Sequence, residues 1–417
     1  MSKLSTMAEN LKGSEIIKLA GEIREKISQG ETIYNFTIGD FDPKVFAIPT
    51  KYKEAIIKAY ENGETNYPAA NGIAPLRKVL SEFIQRDQNL DYSADSFLVA
   101  GGARPLIYAA YQAIVNPGEK VLFPVPSWNN NHYTHLSGAN PVFLETSAAN
   151  NFMPTAAEIK PLISDVSLVA LCSPLNPTGT VFTAEGLKEI CDLIVEENKR
   201  RAGAKPVYLL YDQIYWQLTL NDTQHVDPVN LCPEIKEYTI YIDGLSKSLA
   251  ATGVRVGWAF GPQKLINAMK SILGHIGAWA PKAEQVASAE YLDDNSSVES
   301  FLGEFKVQIN DRLQGFYEGM QALKTKGYKV DAIAPQAAIY LTIKFDLVGK
   351  QFEGKTLSSM HDVTDFLLNQ AGLAVVPFYA FGSPATSPWF RLSVGTSKMS
   401  DIAVCLDKLE TVLAKLS

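Results

Sequence analysis

The spacing of hydrophobic and polar positions changes period along this chain. Between 13 and 29, Ile16, Ile17, Ala20, Ile23 and Ile27 recur at helical spacing and Gly30 ends the run, which predicts an amphipathic helix. From 97 onward, short apolar runs alternate with amphipathic ones. Strands are predicted at 97–100, 120–123, 167–172, 207–211, 239–242 and 254–260. A helix is predicted over 105–115, closed by the turn Asn116-Pro117-Gly118. Another opens at Thr183, where Leu187, Ile190, Cys191, Ile194 and Val195 make one apolar stripe. Strands alternating with helices predict an α/β unit on a mostly parallel sheet, with helices on both faces. After Ala287 the alternation stops. A long charged helical stretch at 299–324 could bridge two lobes, and the remainder mixes strands such as 339–345 with helices such as 363–370. The expected organisation is a large α/β domain over 46–292 and a smaller α+β domain built from 1–45 and 293–417.

Composition narrows the function. With 46% apolar and 20% charged residues, disorder is excluded for the bulk of the 417-residue chain. A chain of this size needs no disulfide or metal to hold a core. The net charge of −7 argues against a nucleic-acid partner, because phosphate polymers want a cationic surface. It leaves room for a small anion held by a few local charges. Cys172, Cys191, Cys232 and Cys405 are far apart and read as reduced core thiols. His132 and His135 are close, but no further ligand joins them, so no metal is expected. The first thirty residues are polar and amphipathic and are expected to be neither signal peptide nor anchor. No run approaches the roughly 20 apolar residues of a spanning helix. A cytoplasmic enzyme without a membrane partner is expected.

In an open parallel sheet, ligands bind beyond the carboxyl ends of the strands. The first such end is Gly101-Gly102-Ala103-Arg104-Pro105, whose free amides at Gly102, Ala103 and Arg104 would favour a phosphate, or simply make a tight strand-to-helix turn. The next is Ser173-Pro174-Leu175-Asn176-Pro177-Thr178-Gly179. It is rich in turn residues, and Asn176 between prolines has its amide held in one orientation. Asp212 follows a third strand, with Tyr215 three residues on. A carboxylate there is costly to bury unless a cation meets it, unless it merely caps a helix. After a fourth strand come Ser246 and Lys247, with Arg255 beyond. Alone, that lysine could be a solvated surface residue.

Taken in order, Asn176-Pro177-Thr178-Gly179, Asp212 with Tyr215, Ser246-Lys247 and Arg255 resemble the class I/II aminotransferases. These are fold-type I pyridoxal-phosphate enzymes, typified by aspartate aminotransferase. The resemblance runs from about Gly13 to the C-terminus. It implies pyridoxal 5'-phosphate as cofactor, with Lys247 forming a Schiff base to its aldehyde. It implies that Asp212 keeps the ring nitrogen protonated and that Asn176 and Tyr215 donate to the phenolic oxygen. The amides of Gly102, Ala103 and Arg104, with Ser246 and Arg255, would hold the phosphate. Trp128 would stack on the ring, if it is not a core tryptophan. Arg391 would fork onto the substrate α-carboxylate, and Gly39 would close over the substrate beside Trp128 and Asn176. Tyr67 would reach the cofactor phosphate of a neighbouring subunit, which implies a homodimer. Lys247 would move the Cα proton, and an L-amino acid and a 2-oxo acid would exchange an amino group in ping-pong fashion.

Two departures bear on these expectations. Where relatives often carry Ser-x-Ser-Lys, the first serine is Gly244, so one phosphate hydroxyl is missing. Where many aspartate-preferring bacterial relatives carry a lysine, this chain has Ala103, with Arg104 next to it. Arg104 could meet a distal carboxylate only if its side chain turns into the pocket. Asn129, Asn130, Asn131 and His132 could also line that pocket. The rival reaction is a lyase on the same scaffold. A non-enzymatic regulatory relative is the remote alternative, and no basic helix-turn-helix segment accompanies the chain.

Overall fold

The structure is a computed structural model that describes residues 4–11, 13 and 15–417, with the side chains of 15–18 left undescribed. Seven strands form the main sheet: β1 (Phe97–Ala100), β2 (Lys120–Val125), β3 (Asn140–Glu145), β4 (Val166–Cys172), β5 (Tyr208–Asp212), β6 (Thr239–Gly244) and β7 (Gly257–Phe260). Their spatial order is β1-β7-β6-β5-β4-β2-β3. Neighbours run parallel except at β7, which is antiparallel to both β1 and β6. The mostly parallel sheet was legible in the alternation; the reversed strand was not.

Residues of these strands alternate between two apolar layers. Leu168, Ala170, Leu210, Ile240 and Ile242 pack on one side, with the helices Ala103–Ile114 and Gln263–Ile276. Val169, Leu171, Leu209, Tyr211 and Tyr241 pack on the other, with helices Ala74–Gln88, Ala184–Arg200 and Lys282–Asp293. Burial on both faces is why β4 reads as an unbroken apolar run rather than an alternating one. At the sheet edge, β3 carries Asn140, Pro141 and an outward-facing Glu145. An edge strand can be polar at its ends, and the apolar stretch left between them, Val142-Phe143-Leu144, is too short to read as a strand by itself.

A second core surrounds four antiparallel strands, β8 (Val330–Ala332), β9 (Tyr340–Phe345), β10 (Val376–Pro377) and β11 (Trp389–Ser393), in the order β10-β11-β9-β8. The helix Asn295–Thr325 connects the two cores: Val298 joins the large one, while Phe305, Ile309, Leu313 and Phe316 face the small one. From the N-terminal segment, Phe36, Phe41 and Phe46 fill the small core, and Tyr34–Asn35 pairs in parallel with Leu373–Ala374.

Three local readings change. The predicted first helix spans Glu15–Ser28; residue 14 and the side chains of Ile16 and Ile17 lie outside the described residues. Ile23 is buried against Leu368 and Ala374, but Ile27, expected on the same stripe, is exposed. The last strand of the large sheet begins at 257 rather than 254, because Arg255 takes a left-handed φ of 62° and turns the chain there. Among the described residues, no helix is long and apolar enough to cross a membrane.

Candidate active site

A cavity of about 640 Å³ opens at the carboxyl end of the parallel strands, where the two cores meet. Its wall includes Gly39, Ala103, Arg104, Trp128, Asn176, Asp212, Tyr215, Ser246, Lys247, Arg255 and Arg391. Of the residues singled out from sequence, Gly102 lies just behind this wall and Tyr67 lies outside it. Tyr67 is 81% exposed and meets Trp279 edge-on, with centroids 5.2 Å apart.

The first corner is the turn between β1 and the helix Ala103–Ile114. Gly102 precedes that helix with φ 94°, and a Cβ there would lie 2.3 Å from an Arg255 guanidinium nitrogen. Only glycine lets Arg255 lie across this turn. Arg255 is tied down at both Nη atoms, donating to the Thr252 carbonyl at 2.7 Å and the Gly101 carbonyl at 2.8 Å. Backbone amides at a helix start, a buried Ser246 and this fixed arginine make a corner suited to a phosphate. Gly244 has a packing reason. A Cβ there would come within 2.8 Å of Gly257 Cα and 3.0 Å of the Val256 carbonyl oxygen, so a serine has no room.

The next two groups stand on β5 and just after β6. Asp212 ends β5, and its Oδ1 accepts the Ile214 N–H at 3.1 Å. Burial pushes its carboxyl up to about 6, with that hydrogen bond opposing the rise. No side-chain cation pairs with it among the described residues. Lys247 lies in the one-turn helix Leu245–Ser248, and its Nζ donates to the Gly39 carbonyl at 2.6 Å. Burial brings its amine down to about 8; Asp40 opposes that shift, and Arg391, Arg104 and Arg255 add to it. An uncharged lysine amine is therefore accessible near neutral pH, as a proton acceptor or nucleophile requires.

Arg391 forms the far wall from the middle of β11, paired with Thr342 and Val376. It is 2% exposed. Nη1 donates to Asn176 Oδ1 at 3.0 Å and Nη2 to the Thr37 carbonyl at 2.7 Å, while Nε has no partner among the described residues. The guanidinium is sandwiched between the rings of Tyr340 and Phe381, at 4.6 and 4.9 Å. All its contacts are neutral. A buried cation without a carboxylate is costly, and an anionic ligand would relieve that cost.

The remaining wall was read only in part from sequence. Arg104 does turn inward, its guanidinium 5.3 Å from the centre of the Trp128 ring. Of the four residues after Trp128, Asn130 reaches this cavity and Asn131 lines a smaller one beside Phe143. Tyr133, Tyr340 and Asp40 also line the main cavity, and no motif announced them. Asp40 Oδ1 accepts from Thr252 at 2.6 Å and so ties the N-terminal segment to the stretch before Arg255.

A family model described as aminotransferase class I and II matches residues 31–408. An aspartate aminotransferase of Bacillus sp. (strain YM-2) is 31% identical, over 94% of this chain and 95% of that one. The crystal structure of the aspartate aminotransferase from Rhizobium meliloti superposes with a TM-score of 0.92 at 28% identity, covering both chains fully. The aspartate aminotransferase from Thermus thermophilus, solved with maleate, gives 0.87 at 26% identity, covering 99% of this chain and 100% of that one.

Proposed function

The chain belongs to the class I and II aminotransferases, which are pyridoxal-phosphate-dependent transaminases, and on that premise we propose its substrate and the work of each residue. The donor is an acidic, aspartate-like L-amino acid, the acceptor is a 2-oxo acid such as 2-oxoglutarate, and the two half-reactions alternate in ping-pong order. Arg391 carries this reading: a buried, unpaired guanidinium shares one cavity with a depressed lysine and a raised aspartate. It binds the α-carboxylate through its planar fork.

The donor set fits the cofactor. The Gly102 turn, Ser246 and Arg255 hold the phosphate with the amides of Ala103 and Arg104. Asp212 holds the ring nitrogen, Asn176 and Tyr215 the phenolic oxygen, Lys247 the aldehyde, and Trp128 a ring face. Once bound, the cofactor supplies an electron sink that makes the donor's Cα–H bond acidic. The donor's amine would take the place of Lys247 on the aldehyde, and the amine so freed, Lys247 Nζ, would take that proton as general base and later return it. Gly39, whose carbonyl already holds Lys247, closes the backbone over the donor. Burial at Arg391, Asn176 and Tyr215 keeps water from competing for these hydrogen bonds.

Arg104 supplies the preference for a second carboxylate. It is cationic, at the cavity wall and braced on Trp128. The Thermus thermophilus neighbour was solved with maleate, a dicarboxylate, and a two-carboxylate ligand is the kind this reading expects here. In a screen of donors against 2-oxoglutarate, Arg104→Ala should lower kcat/KM for aspartate about tenfold, the worth of one partly screened charged hydrogen bond. Neutral donors should be little affected. An unchanged preference for acidic donors would remove Arg104 from the specificity argument.

Asp212 makes cofactor retention pH-dependent. In the free protein its carboxyl titrates at about 6. Pairing with a cationic ring nitrogen favours the carboxylate and brings that value down in the complex. Between the two values, binding the cofactor releases a proton, so the contribution of Asp212 to affinity falls as pH falls below about 6 and levels off above it. Equilibrium dialysis from pH 4.5 to 8 should show this slope, and Asp212→Asn should flatten it. Tyr67 we assign to a homodimer, where an otherwise exposed ring reaches the neighbouring phosphate site.

A further inference from the structure

Tyr340 approaches the cavity from β9, on the small core, whereas Tyr215 comes from the loop after β5, on the large sheet. Their hydroxyl oxygens are 2.6 Å apart and their rings meet edge-on with centroids 5.5 Å apart. The Tyr340 ring is also one of the two plates holding Arg391. Both phenols are buried. The contact is built from several sides. Thr342, two residues along β9, donates to the Thr178 carbonyl at 2.8 Å and fixes the strand to the loop that bears Asn176. A Cβ at position 39 would come within 2.8 Å of the Tyr340 hydroxyl, so Gly39 is what leaves that hydroxyl its room.

Two hydroxyls this close share one proton and keep the other for a third partner. The direction follows from charge. Burial raises both phenols and the Arg391 guanidinium draws both down, but it lies over the Tyr340 ring and weighs more there, while the shared hydrogen bond holds Tyr215 up, which makes Tyr340 the better donor. Tyr215 is left with a free O–H in the cavity. We propose that Tyr340 is a positioning residue, whose hydroxyl donates to the Tyr215 oxygen and so aims the Tyr215 O–H at the cofactor's phenolic oxygen, while its ring seats Arg391. This rests on the transaminase reading above. It extends that reading to a residue outside every motif and makes one side chain serve both the cofactor and the substrate carboxylate.

Hydroxyls in series polarise each other, so Tyr215 donates more strongly with Tyr340 behind it than alone. A strong donor to the phenolic oxygen favours the bound form in which the adjoining lysine nitrogen has lost its proton. Removing the Tyr340 hydroxyl should therefore raise the midpoint of the pH-dependent change in the visible absorption of cofactor-loaded protein.

The test is that midpoint in Tyr340→Phe, Tyr340→Leu, Tyr215→Phe and the double variant Y215F/Y340F. An upward shift on the order of half a pH unit is expected in both Tyr340 variants. Since each lacks the hydroxyl, either one decides the point if the other folds poorly. In the Tyr215→Phe background the Tyr340 change should shift nothing further, because Tyr340 acts through Tyr215. KM for the amino donor should stay within about threefold in Tyr340→Phe, which keeps the ring, and rise about tenfold in Tyr340→Leu, which loses the plate under Arg391. An unmoved midpoint in Tyr340→Phe, or an equal shift with Tyr215 already replaced, would overturn the proposal. If wild-type protein binds no cofactor and transfers no amino group, it is the transaminase reading that fails instead.

Discussion

Replacing Lys247 with alanine should cost at least about 10³-fold in transamination and leave the fold in place. Positioned proton transfer alone contributes roughly 10²–10⁴-fold, and this residue also anchors the cofactor. The wild-type protein should be yellow with bound cofactor, and borohydride should fix that cofactor covalently to Lys247. The variant should lose the covalent label while holding cofactor through Asp212, Arg255 and the Gly102 turn. Among the described residues its one hydrogen bond is to the Gly39 carbonyl, and beyond that its amine stands 5.8 and 5.7 Å from the Phe41 and Tyr215 rings. The stability profile gives a second check. With its folded value lowered to about 8, Lys247 in the free protein has shed a proton that an unfolded lysine still keeps. Stability therefore rises with pH from about 8 towards 10.5, and the variant should lack that contribution. Normal transamination by the variant, or covalent label on another lysine, would end the assignment.

Arg391 should give the second large effect, with opposite signs for activity and stability. Losing a buried, bidentate partner for a carboxylate costs about 2–5 kcal/mol, so Arg391→Met should lower kcat/KM by roughly 30- to 4,000-fold for every amino donor, acidic or not. Arg391→Lys keeps the charge without the fork and should recover only a small part of this. Without ligand, however, the arginine is a buried cation facing neutral groups, Asn176, a backbone carbonyl and two rings. A methionine of similar volume removes that desolvation cost, and the melting temperature of ligand-free Arg391→Met should equal or exceed that of the wild type. A variant both inactive and markedly less stable would make Arg391 a structural group rather than a binding one.

Asp212 was visible for a short-range reason: it directly follows an apolar run that reads as a buried strand, where a charged group demands a partner, whereas Lys247 and Arg391 took their roles from the resemblance. The turn at Gly102 and the proline-flanked Asn176 were legible because turn chemistry is local. Tyr340 was not legible. It sits inside an apolar strand of the small sheet, where a tyrosine reads as core, and only the packing of the loop after β5 into that small core brings the Tyr215 hydroxyl to it. Arg104 was ambiguous for a related reason: one residue changes a side chain's direction by about 100° on a helix, so its inward turn depended on Trp128 being there to receive it.

The sequence by itself determined the α/β class, six of the seven strands of the large sheet and the kinds of residue standing at their carboxyl ends. Periodicity and turn preference act within a few residues, and those features depend on nothing more. The tertiary structure alone decided that Gly39, Asn176, Lys247, Tyr340 and Arg391 face one cavity, that β7 runs against its neighbours, and that Ile27 is left exposed. It also decided the chemistry of the charged groups. Asp212 at about 6 and Lys247 at about 8 owe those values first to burial. Burial belongs to the surroundings that distant segments assemble and not to the residue.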